Sequence, residues 1–278
     1  MRYKAVPAGT GAAVMVSTDA AMKKIIRMLV AAAVLAAAAF GAWHWWRTAN
    51  IGPVERGHVM AEQHGCFGCH GPGGMHGIPN PGSPIKAVPA WDGGNVMMFA
   101  ANEQELREWI LDGMTASRRK DADYLKQRNA MLVRMPAFHG WLSAPELDDL
   151  VAYVKAVSWL DAPKDELARK GRDAASDKGC FSCHGPEGRG CLPNAGSFKG
   201  YIPAWDGADF PDVAGNDDEI REWILDGVCQ RIAHHPVGGF FVKRQRVPMP
   251  AFRGKITDEE LRALVTYIRW LRPGLAGP

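Results

Sequence analysis

Cys66-Phe67-Gly68-Cys69-His70-Gly71-Pro72 returns 114 residues later as Cys180-Phe181-Ser182-Cys183-His184-Gly185-Pro186. The same offset carries Val88-Pro89-Ala90-Trp91-Asp92-Gly93 onto Ile202-Pro203-Ala204-Trp205-Asp206-Gly207. It also carries Arg107–Gly113 onto Arg221–Gly227, Met135-Pro136-Ala137-Phe138 onto Met249-Pro250-Ala251-Phe252, and Tyr153 onto Tyr267. A period of this length means duplicated domains, since solenoid repeats run about 20–50 residues. The join falls near Asp161-Ala162-Pro163-Lys164, short and polar enough to keep the two copies close. The predicted organisation is 1–27 basic segment, 28–47 anchor or signal, 48–160 first domain and 161–278 second domain.

Within each copy the local signals are helical. Asn102 with Glu105, and Asn216 with Glu219, set an N-cap residue three before an acid at the start of a middle helix. Ser143-Ala144-Pro145-Glu146 and Thr257-Asp258-Glu259-Glu260 open a last helix in the same way. Its apolar residues, Leu147, Leu150, Val151, Val154 and Leu261, Leu264, Val265, Ile268, recur at 3–4 spacing. A further helix is predicted before each Cys cluster, around Val54–Gln63 and Glu166–Ser176. No stretch alternates with period two. The expected fold is all-α, with three main helices per domain and long Gly/Pro-rich loops.

The 278 residues are 47% hydrophobic and 23% charged, enough for two domains with cores. The net charge of +3 hides an asymmetry: residues 1–50 carry +5 and the rest −2. With no basic folded part to neutralise phosphates, nucleic-acid binding is not expected. Met22–Arg27 is basic, and Met28–Trp46 then runs 19 residues without Asp, Glu, Lys or Arg before Arg47. A signal-peptide core usually runs about 7–15 residues and a membrane span roughly 20. The length favours a retained inner-membrane anchor with everything after Arg47 in the periplasm. Trp43, Trp45 and Trp46 fit an interfacial belt, and Lys23, Lys24 and Arg27 the positive-inside rule. Ala36–Ala39 leave a cleaved signal and a soluble periplasmic protein as the alternative. Residues Met1–Ala21 show no clear pattern, and Met22 is an alternative start.

Long loops leave each domain short of core, and Cys-x-x-Cys-His names the filler. Two cysteines three apart can each form a thioether to a haem vinyl group, with the following His under the iron as proximal ligand. A thioredoxin-like pair wants a βαβ setting, which is missing, and a four-Cys zinc site needs no His after each pair. Two covalently bound haem c groups are therefore expected, on Cys66, Cys69, His70 and on Cys180, Cys183, His184. Met135 and Met249 each lie 65 residues after their His, before the last helix, and are the expected second ligands. Met131 competes in the first copy, where the second has Gln245.

Both copies resemble class I c-type cytochrome domains over roughly Val54–Leu271. The resemblance implies a haem crevice sealed by apolar side chains. It also implies that the carbonyls of Pro89 and Pro203 accept a hydrogen bond from the proximal His. Trp91 and Trp205 stand where many relatives have Leu, and are expected to pack on or near the haem, with the indole N–H reaching a propionate. Tyr153 and Tyr267 are expected to pack the last helix on the first at Gly57 and Gly171. The implied role is electron transfer between redox partner proteins of the periplasm or inner membrane, and not an enzymatic one. Two rivals remain: a dihaem enzyme of peroxidase or thiosulfate dehydrogenase type, and a cytochrome subunit of a larger oxidase or dehydrogenase.

Cys191 and Cys229 have no counterparts in the first copy. In an oxidising compartment a disulfide between them is expected, with thiolate ligation of the second haem, or two free thiols, as alternatives. His64, His76, His139, His234 and His235 do not recur and read as solvated loop residues. Arg118, Arg119, Lys120 and Lys243, Arg244, Arg246 are candidates for a docking rim.

Overall fold

A computed structural model describes the backbone of residues 11–48 and 51–272, with side chains at 21–42, 45 and 51–272. The expectations for Met1–Arg2 and their neighbours up to residue 10, and for the side chains of Trp43, Trp46 and Arg47, lie outside those residues. The first helix, α1, spans Gly11–Thr48 and forms a compact unit of its own. It is longer than the 28–47 segment read from composition, because the helix runs on through residues 11–27, the basic stretch included. Its Ala21–Ala42 part, 22 residues of mean hydropathy 2.2, is long and apolar enough to cross a membrane, a test that a signal sequence also passes.

The second unit holds both repeats. In the first, α2 (Pro53–Gln63) leads into α3 (Phe67–His70), then α4 (Glu103–Asp112), α5 (Ala116–Arg119), α6 (Ala122–Ala130) and α7 (Ala144–Ser158). In the second, α8 (Glu166–Asp177) leads into α9 (Phe181–His184), α10 (Phe210–Val213) and α11 (Asp217–Asp226). There follow α12 (Gln230–His234), α13 (Pro236–Val242) and α14 (Asp258–Trp270). The described residues are helical without strands, save the isolated bridges Pro79–Ala87 and Pro193–Tyr201. The long loops expected between middle and last helices are partly helical, as α5, α6, α12 and α13. These helices run only 4, 9, 5 and 7 residues, too few turns for a periodic signal to show.

The capping signals act as read. Asn102 and Asn216 accept from the backbone N–H of Glu105 and Glu219, at 3.0 and 2.9 Å. Thr257 accepts from Glu260 N–H while Glu260 accepts from Thr257 N–H, so two donors at the start of α14 are satisfied reciprocally. Each domain is closed by its first helix crossing its last, α2 on α7 and α8 on α14. Both crossings turn on glycine. A Cβ on Gly57 would overlap the Asp149 carbonyl and Tyr153, and one on Gly171 the Ala263 carbonyl. Arg56 adds a two-pronged bond to Asp149, at 2.7 Å for each oxygen.

Candidate haem sites

The Cys-x-x-Cys-His segments fold as single helical turns, with His70 N–H and His184 N–H bonded to the carbonyls of Cys66 and Cys180. One turn puts both cysteines and the histidine on the wall of one cavity. The first, of about 250 Å³, is lined by Cys66, Cys69, His70, Trp91 and Met135. The second, of about 450 Å³, is lined by Cys180, Cys183, His184, Trp205 and Met249. The twelve residues singled out from sequence therefore gather six to a cavity, Pro89 and Pro203 included.

Each methionine is placed by the helix that precedes it. Gly113 and Gly227 cap α4 and α11 in the left-handed conformation, φ 70° and 76°. A Cβ there would crowd the backbone carbonyl of Met135 or Met249. The freed carbonyls of Ile110 and Leu111 then accept from Phe138 and His139 N–H, at 3.1 and 3.0 Å. Ile224 and Leu225 do the same for Phe252 and Arg253. Met-Pro-Ala-Phe is thus pinned to the end of the middle helix in both copies.

The His70 ring is held by its Nδ1, 2.8 Å from the Pro89 carbonyl. A carbonyl only accepts, so Nδ1 carries the proton and Nε2 keeps its lone pair. Burial lowers the proton affinity of His70, which leaves the imidazole neutral. His184 is pulled down to about 4 by burial, against the opposing pull of the Pro203 carbonyl. Its Nδ1 nevertheless has no partner within hydrogen-bond geometry. The two observations describe one imperfectly aligned contact, because Pro203 is the acceptor that acts on it. Trp91 and Trp205 brace these rings, with centroids 4.7 and 4.9 Å from His70 and His184. They fit because Gly74 and Gly188 have no Cβ to meet the indole.

These features pass a test for haem. Each apolar cavity is lined by both an imidazole and a thioether, and His70 keeps a free Nε2 lone pair. Burial holds Cys66 and Cys180 up at about 11, as protonated thiols of the kind that add to a vinyl group. Among the described residues no group of three or more His, Cys, Asp or Glu side chains is arranged to hold a metal ion.

The cytochrome c family matches the chain twice, over residues 54–158 and 168–272. The chain belongs to the cytochrome c family. Membership implies covalently bound haem c in cytochrome c domains, two of which stand here in tandem. A chain of the Kuenenia stuttgartiensis reducing HAO-like protein complex is similar at 15% identity and a TM-score of 0.25, over 78% of this cytochrome and 96% of its own length. No curated protein matches.

The structure also brings in residues that the sequence reading passed over. Asn80 donates to the Val133 carbonyl and accepts from Val133 N–H, each at 2.9 Å. Asn194 holds Val247 the same way, at 2.9 and 3.0 Å. Each buried amide ties the loop after the Cys cluster to the methionine loop. Their signal was available, since Asn80 and Asn194 stand at the 114-residue offset. Met131 lines the first cavity beside Met135, so it remains a competitor. His64 lines that cavity too, edge-on to Phe138. His235 lines the second, but its Nδ1 accepts from Gly238 N–H at the start of α13.

The expected disulfide is not formed: Cys191 and Cys229 are both free and buried. Cys191 packs with Tyr201 and Ala204, whereas Cys229 points its thiol at the Val213 carbonyl, 3.6 Å away. Neither lines the second cavity. Burial also raises the pKa of both thiols.

Proposed function

We propose that this protein is a membrane-anchored periplasmic dihaem cytochrome c that carries electrons between protein partners. Its ligand pairs are His70 with Met135 and His184 with Met249. The observation that supports this best is the convergence of a cysteine pair, a neutral histidine and a methionine on one apolar cavity, twice. Haem bound there supplies a one-electron Fe(III)/Fe(II) couple.

The residues around it have separate tasks. Cys66, Cys69, Cys180 and Cys183 tether the porphyrin. The Pro89 carbonyl keeps the Nδ1 proton of His70 in place, and Trp91 limits the ring's rotation. Asn80 and Asn194 hold the methionine loops closed, and the apolar walls keep water out. Protein ligands on both faces leave no place for a substrate, which favours electron transfer over catalysis. The rival thiolate-ligated enzyme loses its support, because neither Cys191 nor Cys229 reaches the cavity. Lys243, Arg244 and Arg246 are exposed in the segment that lines the second cavity, and suit an acidic redox partner. The apolar Ala21–Ala42 stretch serves as the anchor.

Near-infrared magnetic circular dichroism of the oxidised holoprotein tests the ligands. Two His/Met bands are expected, and a thiolate or high-spin band at either haem overturns the assignment. Met135→Leu with Met131 intact separates the two methionines: it should abolish one His/Met band.

A further inference from the structure

The two domains meet where α7 ends against the turn Pro186–Gly188 that follows His184. Trp159, the residue after α7, places its ring over the Arg172 guanidinium, 4.6 Å from centroid to Cζ. Arg172 Nε donates to Glu187 at 3.1 Å, and the other Glu187 oxygen accepts from Tyr267 Oη at 2.9 Å. Tyr267 lies edge-on to Trp205, which braces His184. On the other side, α7 carries Tyr153, edge-on to Trp91, which braces His70. A second tie crosses nearby, from Cys191 N–H to Glu55 at 3.3 Å.

This arrangement is not something the fold needs. In the first domain the places of Arg172 and Glu187 are taken by His58 and Gly73, and Tyr153 Oη donates to the Gly73 carbonyl alone. An ion pair buried to 9% and 7% exposure carries a desolvation cost that its sister domain avoids. Two of the three described non-glycine residues with positive φ also sit at this contact: Trp159 at 62°, and Glu187 at 56° in a turn where the first domain places Gly73 at 63°. Such conformations cost about 1 kcal/mol or more each and persist only where the surroundings impose them. Buried charge and backbone strain thus coincide at the face the first domain covers.

We infer that Trp159, Arg172 and Glu187 are positioning residues for electron exchange between the two haem sites. They seat the end of α7 on the histidine side of the second domain, so the electron crosses this contact within one chain. The step moves one electron from the ferrous iron of one site to the ferric iron of the other, with no bond formed and no proton moved. The inference rests on the dihaem electron-carrier reading above.

The test uses the full-length, haem-loaded protein at half reduction. Exchange between haem-methyl NMR lines then has a part that does not depend on protein concentration, and that part is intramolecular. Trp159→Gly removes the indole while suiting φ 62°, so folding is not at stake. Trp159→Gly and Arg172→Gln are each expected to slow the intramolecular exchange about tenfold, the scale of coupling between contacting residues. Trp159→Phe should restore most of it. Both midpoint potentials should stay put, and pulsed-EPR iron–iron distances should broaden in the slowed variants. Unchanged exchange and distances in Trp159→Gly and Arg172→Gln would overturn the inference. A native protein with one haem, or with a high-spin one, would instead overturn the dihaem reading beneath it.

Discussion

The two domains share the Cys, His, Pro, Trp and Met side chains on their cavity walls and differ at the cavity mouth. Arg118, Gln127, Arg128 and Arg134 line the first cavity, where the second has Ile232, Phe241, Val242 and Pro248. Phe241 adds contacts to Phe198 and Phe240, at 5.2 and 5.3 Å, where the first domain has Pro84 and Lys126. Lys199, Tyr201 and Asp209 form a buried polar cluster at positions held by Ile85, Ala87 and Asn95 in the first domain. The paired cysteines, histidines, prolines, tryptophans and methionines on the cavity walls are thus identical in the two copies. The rim differs between copies: the second mouth is apolar at these four positions, while Lys178, Lys199, Asp212 and Arg231 keep charge elsewhere on its lining.

The sharpest way to break this comparison is to remove the methionine proposed as a ligand from one copy. Met249→Leu should lower the potential of the second haem by roughly 0.2 V, within the ~0.8 V that axial ligands span. The first haem should not move. Redox titration followed by optical spectra checks this, and a shift at both haems would mean the sites are not independent. Next in size is the helix crossing. Gly171→Ala forces a methyl into the Ala263 carbonyl and should cost about 3 kcal/mol in chemical denaturation, the upper range for overpacking. Gly68→Ala, with open space around it, should cost far less.

A smaller loss is expected for Asn194→Ala, about 2 kcal/mol, since Val247 N–H and C=O both lose a buried partner. Asn80→Ala should match it if the two clamps are equivalent. Smallest is an ion pair found in the second copy alone: Arg231 bonds Glu219 at 2.7 Å, where the first domain has Ser117. The hydrogen bond from Arg231 holds the Glu219 carboxyl below its usual pKa of 4.5. A depressed folded pKa adds stability above the unfolded value and loses it as pH falls through the folded one. Arg231→Ser should therefore cost no more than about 1 kcal/mol near pH 7, because the arginine is half exposed. That difference should vanish in denaturation curves taken well below pH 4.5.

Much of this was legible in the chain because the chain says it twice. The offset of 114 residues turned Met135 and Met249 from ordinary apolar residues into paired candidates, and Gly57 and Gly171 into a crossing point. What stayed hidden was whatever lacks a twin or depends on distant placement. Arg172 and Glu187 are 15 residues apart, and nothing in either segment announces that they meet under Trp159. Cys191 and Cys229 have the right chemistry for a disulfide, but their separate pockets are set by tertiary packing. The helices α6 and α13 were unreadable because, at 9 and 7 residues, they offer too few turns for a periodic signal.

One consequence of the helix crossings concerns the order of assembly. Gly57 must find Asp149, and Gly171 must find Ala263, each over 90 residues away, so neither domain closes before its own final helix exists. Contacts so distant along the chain form late and slowly. Until then the Cys-x-x-Cys-His turn has no lid, and its thiols stay within reach of whatever attaches the porphyrin. The first domain is complete at Ser158, with nearly half the chain still to be made, and the second only at Trp270. N-terminal domains fold first during synthesis. The duplication therefore separates the closing of two similar domains in time.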